Sequence, residues 1–307
     1  MPPVDVQIDV EQVRELLRTL PDELAHLRDA PIEEVAKGWD NSLWRLGTET
    51  AAEYAVRIPV RSFAAPIIET ATGWVREASG PLRANGIRVP LLIHQGAPAA
   101  GIPFSWSVVT WVPGRLLSTV PVAERAPAAE ALARALPAFH RPAPADAPVS
   151  RSRGITLQER RTFLPRHLPT AREILGNDVV DALLQIIGEA EAAPPWPLAP
   201  TWCHGDLHTL NATLDSSGGL GILDFDDLTQ GDPAVDLRML WIAFDEPTRA
   251  QVQERLEASG AYDPAIWTRA RGWAASSFLL PVVADPESRD SFADAIEHTC
   301  RELGCQP

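Results

Sequence analysis

Polar residues gather in two short segments in the second half of the chain. The first segment runs from Cys203 to Asn211 and the second from Gly221 to Asp227. Apolar residues between them flank the turn Asp215-Ser216-Ser217-Gly218-Gly219, and this pattern predicts a β-hairpin. Because a hairpin returns the chain to its starting point, we expect the two polar segments to lie side by side.

Three side chains of these segments, those of Asp206, Asn211 and Asp224, would then form one oxygen-rich set. Such a set suits Mg²⁺, which takes a few protein oxygens and completes its shell with water and substrate phosphates. Phosphoryl transfer needs a metal to neutralise phosphate charge and a carboxylate to orient the attacking hydroxyl. The spacing therefore predicts magnesium-assisted phosphoryl transfer.

Other chemistries explain the same residues less completely. His204 and His208 could hold zinc, but the zinc-protease motif places Glu directly after the first His, where this chain has Gly205, and no third ligand is apparent. A pair of acids could also hydrolyse a glycosidic bond, which would leave Asn211 without a purpose. Cys203 follows an apolar run, so we expect a buried thiol rather than a nucleophile.

The first half of the chain predicts a small antiparallel sheet with one or two helices. Asp9 and Gln12 form a capping pair before an amphipathic helix that Pro21 ends. The predicted elements are a helix from Val10 to Leu20, strands from Ser42 to Gly47 and from Ala51 to Ile58 around the turn Gly47-Thr48-Glu49, a helix over 66–79 that ends near Gly80-Pro81, and strands near 90–94 and 104–112.

After Pro113-Gly114 the pattern becomes mostly helical, apart from the hairpin. Leu132, Leu136 and Phe139 repeat at helical spacing, with Pro137 as an expected kink. Further helical segments are predicted around 180–187 and over 232–244, 247–259, 264–283 and 287–303. The two halves together predict an α+β, bilobal fold.

Both polar segments resemble the aminoglycoside phosphotransferase family and its protein-kinase-like relatives. Residues 204–211 are similar to the family's His-Gly-Asp-(four residues)-Asn loop, and residues 221–237 are similar to its metal-binding segment and the helix that follows. In the first half, Gly38-Trp39-Asp40-Asn41-Ser42 resembles the nucleotide loop, Val56-Arg57-Ile58-Pro59 the phosphate-contacting strand, and Ser107 to Gly114 the hinge between lobes. The resemblance covers roughly residues 35–245.

The resemblance implies a protein-kinase-like fold with a small N-terminal sheet lobe, residues 1–113, and a larger, mostly helical lobe, residues 114–307. The first lobe would bind ATP or GTP, with the nucleotide in the cleft beneath the hinge. The second lobe would carry the catalytic loop and the acceptor site. The implied reaction is Mg²⁺-dependent phosphorylation of a hydroxyl group on a small molecule.

The resemblance also implies a role for each matching residue. Asp206 would be the catalytic base, His204 would brace its loop, and Asn211 and Asp224 would hold Mg²⁺. We expect Asp236 to anchor the loop rather than bind metal. On the nucleotide side, the implied binding residues are Asn41, Ser42, Arg57, Glu69, Val109, Thr110 and Trp111.

Two positions differ from the usual pattern of the family. Arg57 stands where kinase-like enzymes often have Lys, and it keeps the charge and adds a fork of donors. Glu69 is the nearest acid for pairing with it, although Ala71 also fits the expected register. Asp226 stands where relatives often have Gly, so both a metal contact and a substrate contact are open to it.

The net charge of −14 at pH 7 disfavours nucleic acid as a partner, because phosphate backbones require stripes of Lys and Arg. Acids around the expected mouth of the site would attract a cation; they are Asp226, Asp227, Asp245 and Glu246. The first expected acceptor is therefore an aminoglycoside or another cationic antibiotic, with antibiotic resistance as the role. Because an acidic surface also serves solubility, macrolides, cyclic peptide antibiotics, amino sugars and metabolic alcohols remain alternatives, as does a silent nucleotide-binding regulatory protein.

The sequence also indicates a cytoplasmic protein without a membrane partner. No apolar run approaches the ~20 residues that a membrane helix needs. Asp5, Asp9 and Glu11 stand where a signal peptide would carry basic and then apolar residues. Three sparse cysteines argue against a disulfide framework and for a reducing compartment.

Overall fold

A computed structural model of the chain describes residues 4–37, 40–48, 51–279 and 286–305. Gly38 and Trp39 of the expected nucleotide loop, and Glu49 of the expected turn, lie outside the described residues. The chain divides into two compact units, Met1–Glu77 with Val89–Val112 and Ala78–Arg88 with Pro113–Pro307.

A five-stranded antiparallel sheet forms the frame of the first unit. Its strands are β1 (Ile32–Lys37), β2 (Asn41–Leu46), β3 (Tyr54–Pro59), β4 (Leu92–Gly96) and β5 (Trp106–Thr110). They lie in the order β1-β2-β3-β5-β4, and all four neighbouring pairs are antiparallel. Arg57 of the central strand β3 therefore stands between Leu43 of β2 and Ser107 of β5. The predicted small antiparallel sheet is confirmed.

The predicted N-terminal helix, α1 (Val10–Arg18), packs against one face of this sheet. The Asp9 carboxylate accepts a hydrogen bond from Gln12 N, and the Gln12 side chain accepts one from Asp9 N, so the predicted capping pair is confirmed. The fully buried residues of the helix are Val13, Leu16 and Leu17. Each buried side chain of this size stabilises the packing by about 1.5–3 kcal/mol.

The second helix, α2 (Ala65–Ala78), confirms the predicted helix over 66–79, including its end near Gly80-Pro81. Those two residues begin α3 (Gly80–Ala84), with the proline in its first turn. Proline suits that position because first-turn N–H groups have no partner within a helix.

The second unit is mostly helical, as the sequence predicts. Its further helices are α4 (Ala126–Phe139), α5 (Leu157–Arg161), α6 (Leu168–Leu175), α7 (Asn177–Ala192), α8 (Ala234–Leu237), α9 (Met239–Ala243), α10 (Glu246–Ala258), α11 (Ile266–Ser277) and α12 (Pro286–Leu303). The segment predicted as one helix over 232–244 is divided at Arg238 into α8 and α9. No helix in the described part of the chain has both the length and the apolar character of a membrane span.

Two of these helices, α7 and α11, pack closely because Gly272 has no side chain. A Cβ atom on Gly272 would lie 2.3 Å from the Cβ of Ala190 on α7. Arg269, also on α11, pairs with Asp232 at 2.6 Å and with Asp263 at 2.6 Å. The same helix thus packs on α7 and holds Asp232, which lies two residues before α8.

Short strands interrupt the helices of the second unit. They are β6 (Arg115–Leu116), β7 (Thr201–Cys203), β8 (Ala212–Leu214), β9 (Leu220–Ile222) and β10 (Thr229–Gly231). The antiparallel pair β8–β9 confirms the predicted hairpin, and β7 pairs with β10. The sequence does not predict β10, because Thr-Gln-Gly carries no alternating pattern.

Candidate active site

The two polar segments form a pair of loops that are joined at both ends. Cys203 stands opposite Thr229 in the β7–β10 pair, and Ala212 stands opposite Ile222 in the β8–β9 pair. The chain between these positions therefore passes twice through the same region, as the hairpin predicts. We call residues 204–211 the first loop and residues 223–228 the second loop.

Hydrogen bonds at Leu223 tie the first loop to the second. Leu223 N donates to Asn211 O at 2.8 Å, and His204 Nε2 donates to Leu223 O at 2.7 Å. His204 is buried, and its Nδ1 accepts a hydrogen bond from Asp206 N at 3.2 Å. Burial lowers the pKa of His204, so the ring is neutral and holds both loops through its two nitrogens.

Asp236 of α8 anchors the first loop from the interior. Its Oδ2 accepts from His204 N at 2.7 Å, and its Oδ1 accepts from Gly205 N at 2.9 Å. His140 Nε2 donates to the same carboxylate at 3.2 Å, and the hydroxyl of Tyr262 donates to His140 Nδ1 at 2.8 Å. Burial acts to raise the pKa of Asp236, but the hydrogen bond from His140 helps to hold it below its ordinary value.

Gly205 allows the first loop to approach the second closely. Its φ is +84°, and a Cβ atom there would lie 2.3 Å from the backbone oxygen of Asp227. Both the backbone conformation and the contact therefore favour glycine. This explains the glycine of the His-Gly-Asp motif from the geometry of this chain alone.

Three cationic or donor side chains surround the Asp206 carboxylate. Arg238 Nη2 lies 2.7 Å and Arg153 Nη2 lies 3.0 Å from Oδ1, while His208 Nε2 lies 3.3 Å from Oδ2. Burial acts to raise the pKa of Asp206, but Arg153, His208 and Arg238 hold it well below its ordinary value. Asp206 is therefore ionised at neutral pH.

Arg153 and Arg238 are site residues that sequence reasoning misses. A single arginine within a helical or loop segment looks like a solvated surface charge. Arg238 is nevertheless buried, and Arg153 lies far from Asp206 in sequence, on the segment before α5. The signal that could have found Arg238 is its place directly after the Asp236-Leu237 pair of the motif.

Asn211 and Asp224 offer a donor set that fits Mg²⁺. The Asn211 Nδ2 group donates to Asp206 O at 2.9 Å, which leaves the amide oxygen as a potential ligand. Asp224 is exposed and has φ 56° and ψ 69°, a left-handed conformation that is uncommon outside glycine. An amide oxygen and a carboxylate are hard ligands, and phosphate oxygens and water would complete the shell.

The alternative chemistries of these residues gain nothing from the structure. Cys203 is fully buried, and burial raises its pKa well above the ordinary value, so the thiol is protonated. His208 Nδ1 accepts from Leu210 N at 3.2 Å. Across the described ranges, no three His, Cys, Asp or Glu side chains form a cluster that could hold a metal ion.

The four acids expected near the acceptor have different surroundings. Asp227 lies 3.3 Å from Arg153 Nε, so its charge is partly compensated. Asp245 caps α10 by accepting from Thr248 N at 3.0 Å, and Glu246 lies exposed in the first turn of that helix. Asp226 is half-buried in the second loop.

Several nucleotide-side residues line one cavity in the first unit. Asn41, Arg57 and Glu69 share this cavity with Ser107 of β5. Glu69 accepts a hydrogen bond from Gln95 Nε2 at 3.2 Å. The structure therefore brings the expected phosphate-contacting arginine and the expected helix acid to the same cavity.

Ser42 and the segment from Val109 to Trp111 are engaged within the first unit. The Ser42 hydroxyl is buried, accepts from Trp44 Nε1 at 2.8 Å and donates to Glu34 at 3.2 Å. Thr110 N and Trp111 N donate to the carbonyl oxygens of Leu91 and Glu53, at 2.9 and 2.7 Å. Val109 stands opposite Ala55 in the sheet.

Comparison with known proteins identifies a family match and two partial relatives. The profile of the phosphotransferase enzyme family matches residues 31–273, more than half of the chain. A thiamine kinase of Shigella boydii is 29% identical over 83 residues, which cover 27% of this chain and 30% of that protein. An uncharacterized protein of Deinococcus radiodurans is 29% identical over 198 residues, which cover 60% of this chain and 54% of that protein. The chain thus spans less than two thirds of either relative.

Solved structures share the fold over nearly the whole chain. The GDP complex of wild-type aminoglycoside 2'-phosphotransferase-IIIa has a TM-score of 0.69 at 15% identity and covers 97% of this chain and 99% of its own. Macrolide 2'-phosphotransferase type I has a TM-score of 0.58 at 18% identity and covers 99% of both chains. Aminoglycoside phosphotransferase APH(3'')-Id from Streptomyces rimosus has a TM-score of 0.56 at 21% identity and covers 89% of this chain and 99% of its own. These likenesses confirm the expected kinase-like fold.

Proposed function

This chain belongs to the phosphotransferase enzyme family, and we propose that it is a kinase that transfers the γ-phosphoryl group of ATP or GTP to a hydroxyl group of a small molecule. The observation that carries this proposal is the pair of loops with shared ends, one bearing Asp206 and the other Asp224. Phosphoryl transfer depends mainly on positioning and on stabilisation of charge, and a doubly anchored loop pair supplies positioning.

Asp206 is proposed to orient the acceptor hydroxyl and to receive its proton. As the hydroxyl oxygen forms its bond to the γ-phosphorus, the bond to the leaving nucleoside diphosphate breaks and the proton passes to the carboxylate. Because its pKa is held well below the ordinary value, Asp206 is ionised and acts chiefly by orientation, as a weak base. His204 is proposed to brace this residue through the hydrogen bond to its backbone N–H.

Asn211 and Asp224 are proposed to hold Mg²⁺. The metal, when bound, would neutralise charge on the phosphates of the nucleotide. Hydrogen bonds from Leu223 N to Asn211 O and from His204 to Leu223 O support this assignment, because they fix the residues next to each ligand.

Residues of the first unit are proposed to bind the nucleotide. Arg57 would contact the phosphates, with Glu69 and Asn41 in the same cavity. Ser42, Val109, Thr110 and Trp111 are proposed to support the nucleotide-binding surface. The GDP complex among the similar structures supports a nucleotide co-substrate.

For the acceptor, we propose an aminoglycoside or another cationic antibiotic. The net charge of −14 and the fold of the antibiotic phosphotransferases support this choice. A second candidate is a kinase of a neutral or acidic metabolic alcohol. It is favoured by Arg153 and Arg238, which place positive charge beside Asp206 where a polycation would have to approach.

A nucleotide-consumption assay across a set of hydroxyl compounds tests the proposed function. The purified chain would be given Mg²⁺ with ATP or GTP, and aminoglycosides, macrolides, thiamine, amino sugars and neutral sugars as acceptors. We expect nucleoside diphosphate and a phosphorylated acceptor to form in equal amounts. Neither product should form when Mg²⁺ is chelated. Binding of nucleotide without transfer to any acceptor or to water would instead favour the silent regulatory protein.

A further inference from the structure

We propose that Arg238 is a positioning residue for the reaction, which holds Oδ1 of Asp206 so that Oδ2 is the oxygen presented to the acceptor hydroxyl. This inference rests on the proposed kinase function and adds a residue and an orientation to it. Nothing in the sequence motif requires an arginine at this position to contact the catalytic carboxylate.

The placement of Arg238 makes it a rigid support. It ends α8 and begins α9, and only 3% of its side chain is exposed. Its Nη2 lies 2.7 Å from Asp206 Oδ1, and its Nη1 donates to the hydroxyl of Ser277 on α11 at 3.2 Å. The backbone of Arg238 is thus fixed at the junction of α8 and α9, and its guanidinium is fixed by the hydrogen bond to α11.

The surroundings of Arg238 favour a functional reason for its presence. A buried guanidinium loses its hydration, and replacing such an ion pair by apolar side chains often leaves a fold equally stable. The Arg238 Nε atom is buried and makes no hydrogen bond within the described part of the chain. An arrangement that is costly for stability and that faces a candidate catalytic carboxylate is typical of a functional site.

Arg153 approaches the same oxygen from a more exposed side. Its Nη2 lies 3.0 Å from Asp206 Oδ1, its Nε lies 3.3 Å from Asp227, and 20% of its side chain is exposed. Both arginines therefore meet on Oδ1, whereas Oδ2 has a longer contact of 3.3 Å with His208 Nε2. The asymmetry leaves Oδ2 as the oxygen best able to accept from an incoming hydroxyl.

The consequence for catalysis is a specific kinetic pattern. Without Arg238 the Asp206 carboxylate keeps its contacts with Arg153 and His208 but loses its shortest one, so it is held less firmly. Misplacement of a reacting group by about 1 Å costs on the order of 10² in rate. Nucleotide binding, which the proposal assigns to other residues, should be unchanged. We therefore expect Arg238→Met to lower kcat by about 10²-fold with nucleotide KM within about twofold of the wild type. Arg238→Lys, which keeps the charge, should retain part of the rate.

The test uses the whole chain with Mg²⁺-ATP or Mg²⁺-GTP and with water as the acceptor, so no acceptor needs to be known. Phosphate release gives kcat and KM for the wild type, Arg238→Met and Arg238→Lys, and crystal structures give the orientation of Asp206. Arg249→Met is the matched control, because Arg249 is also a poorly exposed arginine in an ion pair, with Glu302. This control should keep its kcat.

Two results would overturn the inference while leaving the kinase proposal intact. One is a kcat for Arg238→Met that lies within about twofold of the kcat of Arg249→Met. If Arg238→Met does not fold, the kcat of Arg238→Lys is compared with that of Arg249→Met instead. The other is an unchanged Asp206 carboxylate orientation in the crystal structure of a slowed variant. A wild type that neither binds nor hydrolyses the nucleotides would refute the proposed function itself, and this inference with it.

Discussion

The second loop carries a single residue whose backbone is strained and whose side chain reaches solvent. Asp224 has φ 56° and ψ 69°, in a region that costs most residues with a Cβ about 1–2 kcal/mol, although Asp adopts it more readily than most. Its side chain is exposed, so the conformation does not serve to bury it in the core. Strained backbone next to a reacting centre is common, because the conformation aims a functional group. This supports the proposal that Asp224 is a metal ligand.

Substitution of Asp224 should separate metal binding from stability. Asp224→Gly removes the carboxylate and relieves the positive φ, so we expect the thermal midpoint to hold or rise while Mg²⁺-dependent nucleotide binding falls at least tenfold. Asp224→Ala should lose binding equally and be less stable, since alanine keeps the strain. Calorimetric titration with nucleotide, with and without Mg²⁺, together with thermal unfolding checks both. Normal Mg²⁺-nucleotide binding by Asp224→Gly would remove this residue from the metal site.

At the same scale, the sequence predicts which oxygen-bearing side chains lie in the candidate site but does not predict the arginines beside them. The sequence brings the segments of Asp206, Asn211 and Asp224 together because a hairpin has a recognisable pattern and makes the residues on either side of it neighbours. Arg153 and Arg238 are found only in three dimensions, since contacts between distant segments leave no periodic trace. The sequence likewise does not predict that Arg153 lies beside Asp227, whereas Asp245 before Glu246-Pro247 has the pattern of a helix N-cap.

Two helices of the second unit, α7 and α11, approach each other closely at Gly272. Gly272 on α11 leaves no room for a Cβ beside Ala190, whereas Gly188 on α7 has no atom within 4 Å of the place that a Cβ would take. Both glycines lie within helices and have no positive φ. The two positions therefore differ in packing and share their helical backbone.

This difference gives a matched pair of glycine substitutions. Gly272→Ala should destabilise the protein by ~1–3 kcal/mol, because an overfilled core forces neighbouring groups apart. Gly188→Ala should stabilise it by about 0.4–1 kcal/mol, since alanine is the better helix former and meets open space. Chemical denaturation of both variants and the wild type measures these changes. Equal effects of the two substitutions would show that α7 and α11 do not pack as described.

At the scale of elements, the sequence predicts what local pattern determines. The helices α1 and α2 and the hairpin β8–β9 follow from capping, periodicity and turn residues. The division between α8 and α9 at Arg238 does not follow from local pattern, because it accompanies the burial of an arginine. The strand β10 does not follow from it either, because β10 depends on pairing with β7. The short helix α3 is not predicted either, since a proline can both follow one helix and begin the next.

The whole molecule carries a net charge of −14, which acts on an acceptor before any contact forms. Such a field raises the local concentration of cations and is screened over ~10 Å at 0.1 M salt. Because Asp227 and Asp245 are engaged locally, the expected effect comes from the summed charge more than from any one acid. Single surface pairs contribute only about 0–1 kcal/mol.

Salt should therefore distinguish the classes of acceptor. For a cationic acceptor, we expect KM to rise with ionic strength while kcat changes little; for a neutral acceptor, KM should stay nearly constant. Kinetics at low and high salt with a cationic and a neutral substrate of the same hydroxyl class measure the difference. A neutral acceptor preferred at every salt concentration, with constant KM, would favour the second candidate function.

The central claim is that this chain transfers phosphoryl groups at a centre built around Asp206. Its most direct test measures phosphoryl transfer and Mg²⁺-nucleotide affinity side by side for the wild type and for Asp206→Asn. The variant keeps the shape of the side chain but loses its charge, so we expect kcat to fall by ~10²–10⁴-fold while the nucleotide Kd stays within about threefold. A folded Asp206→Asn protein that transfers phosphate at nearly the wild-type rate would contradict the account.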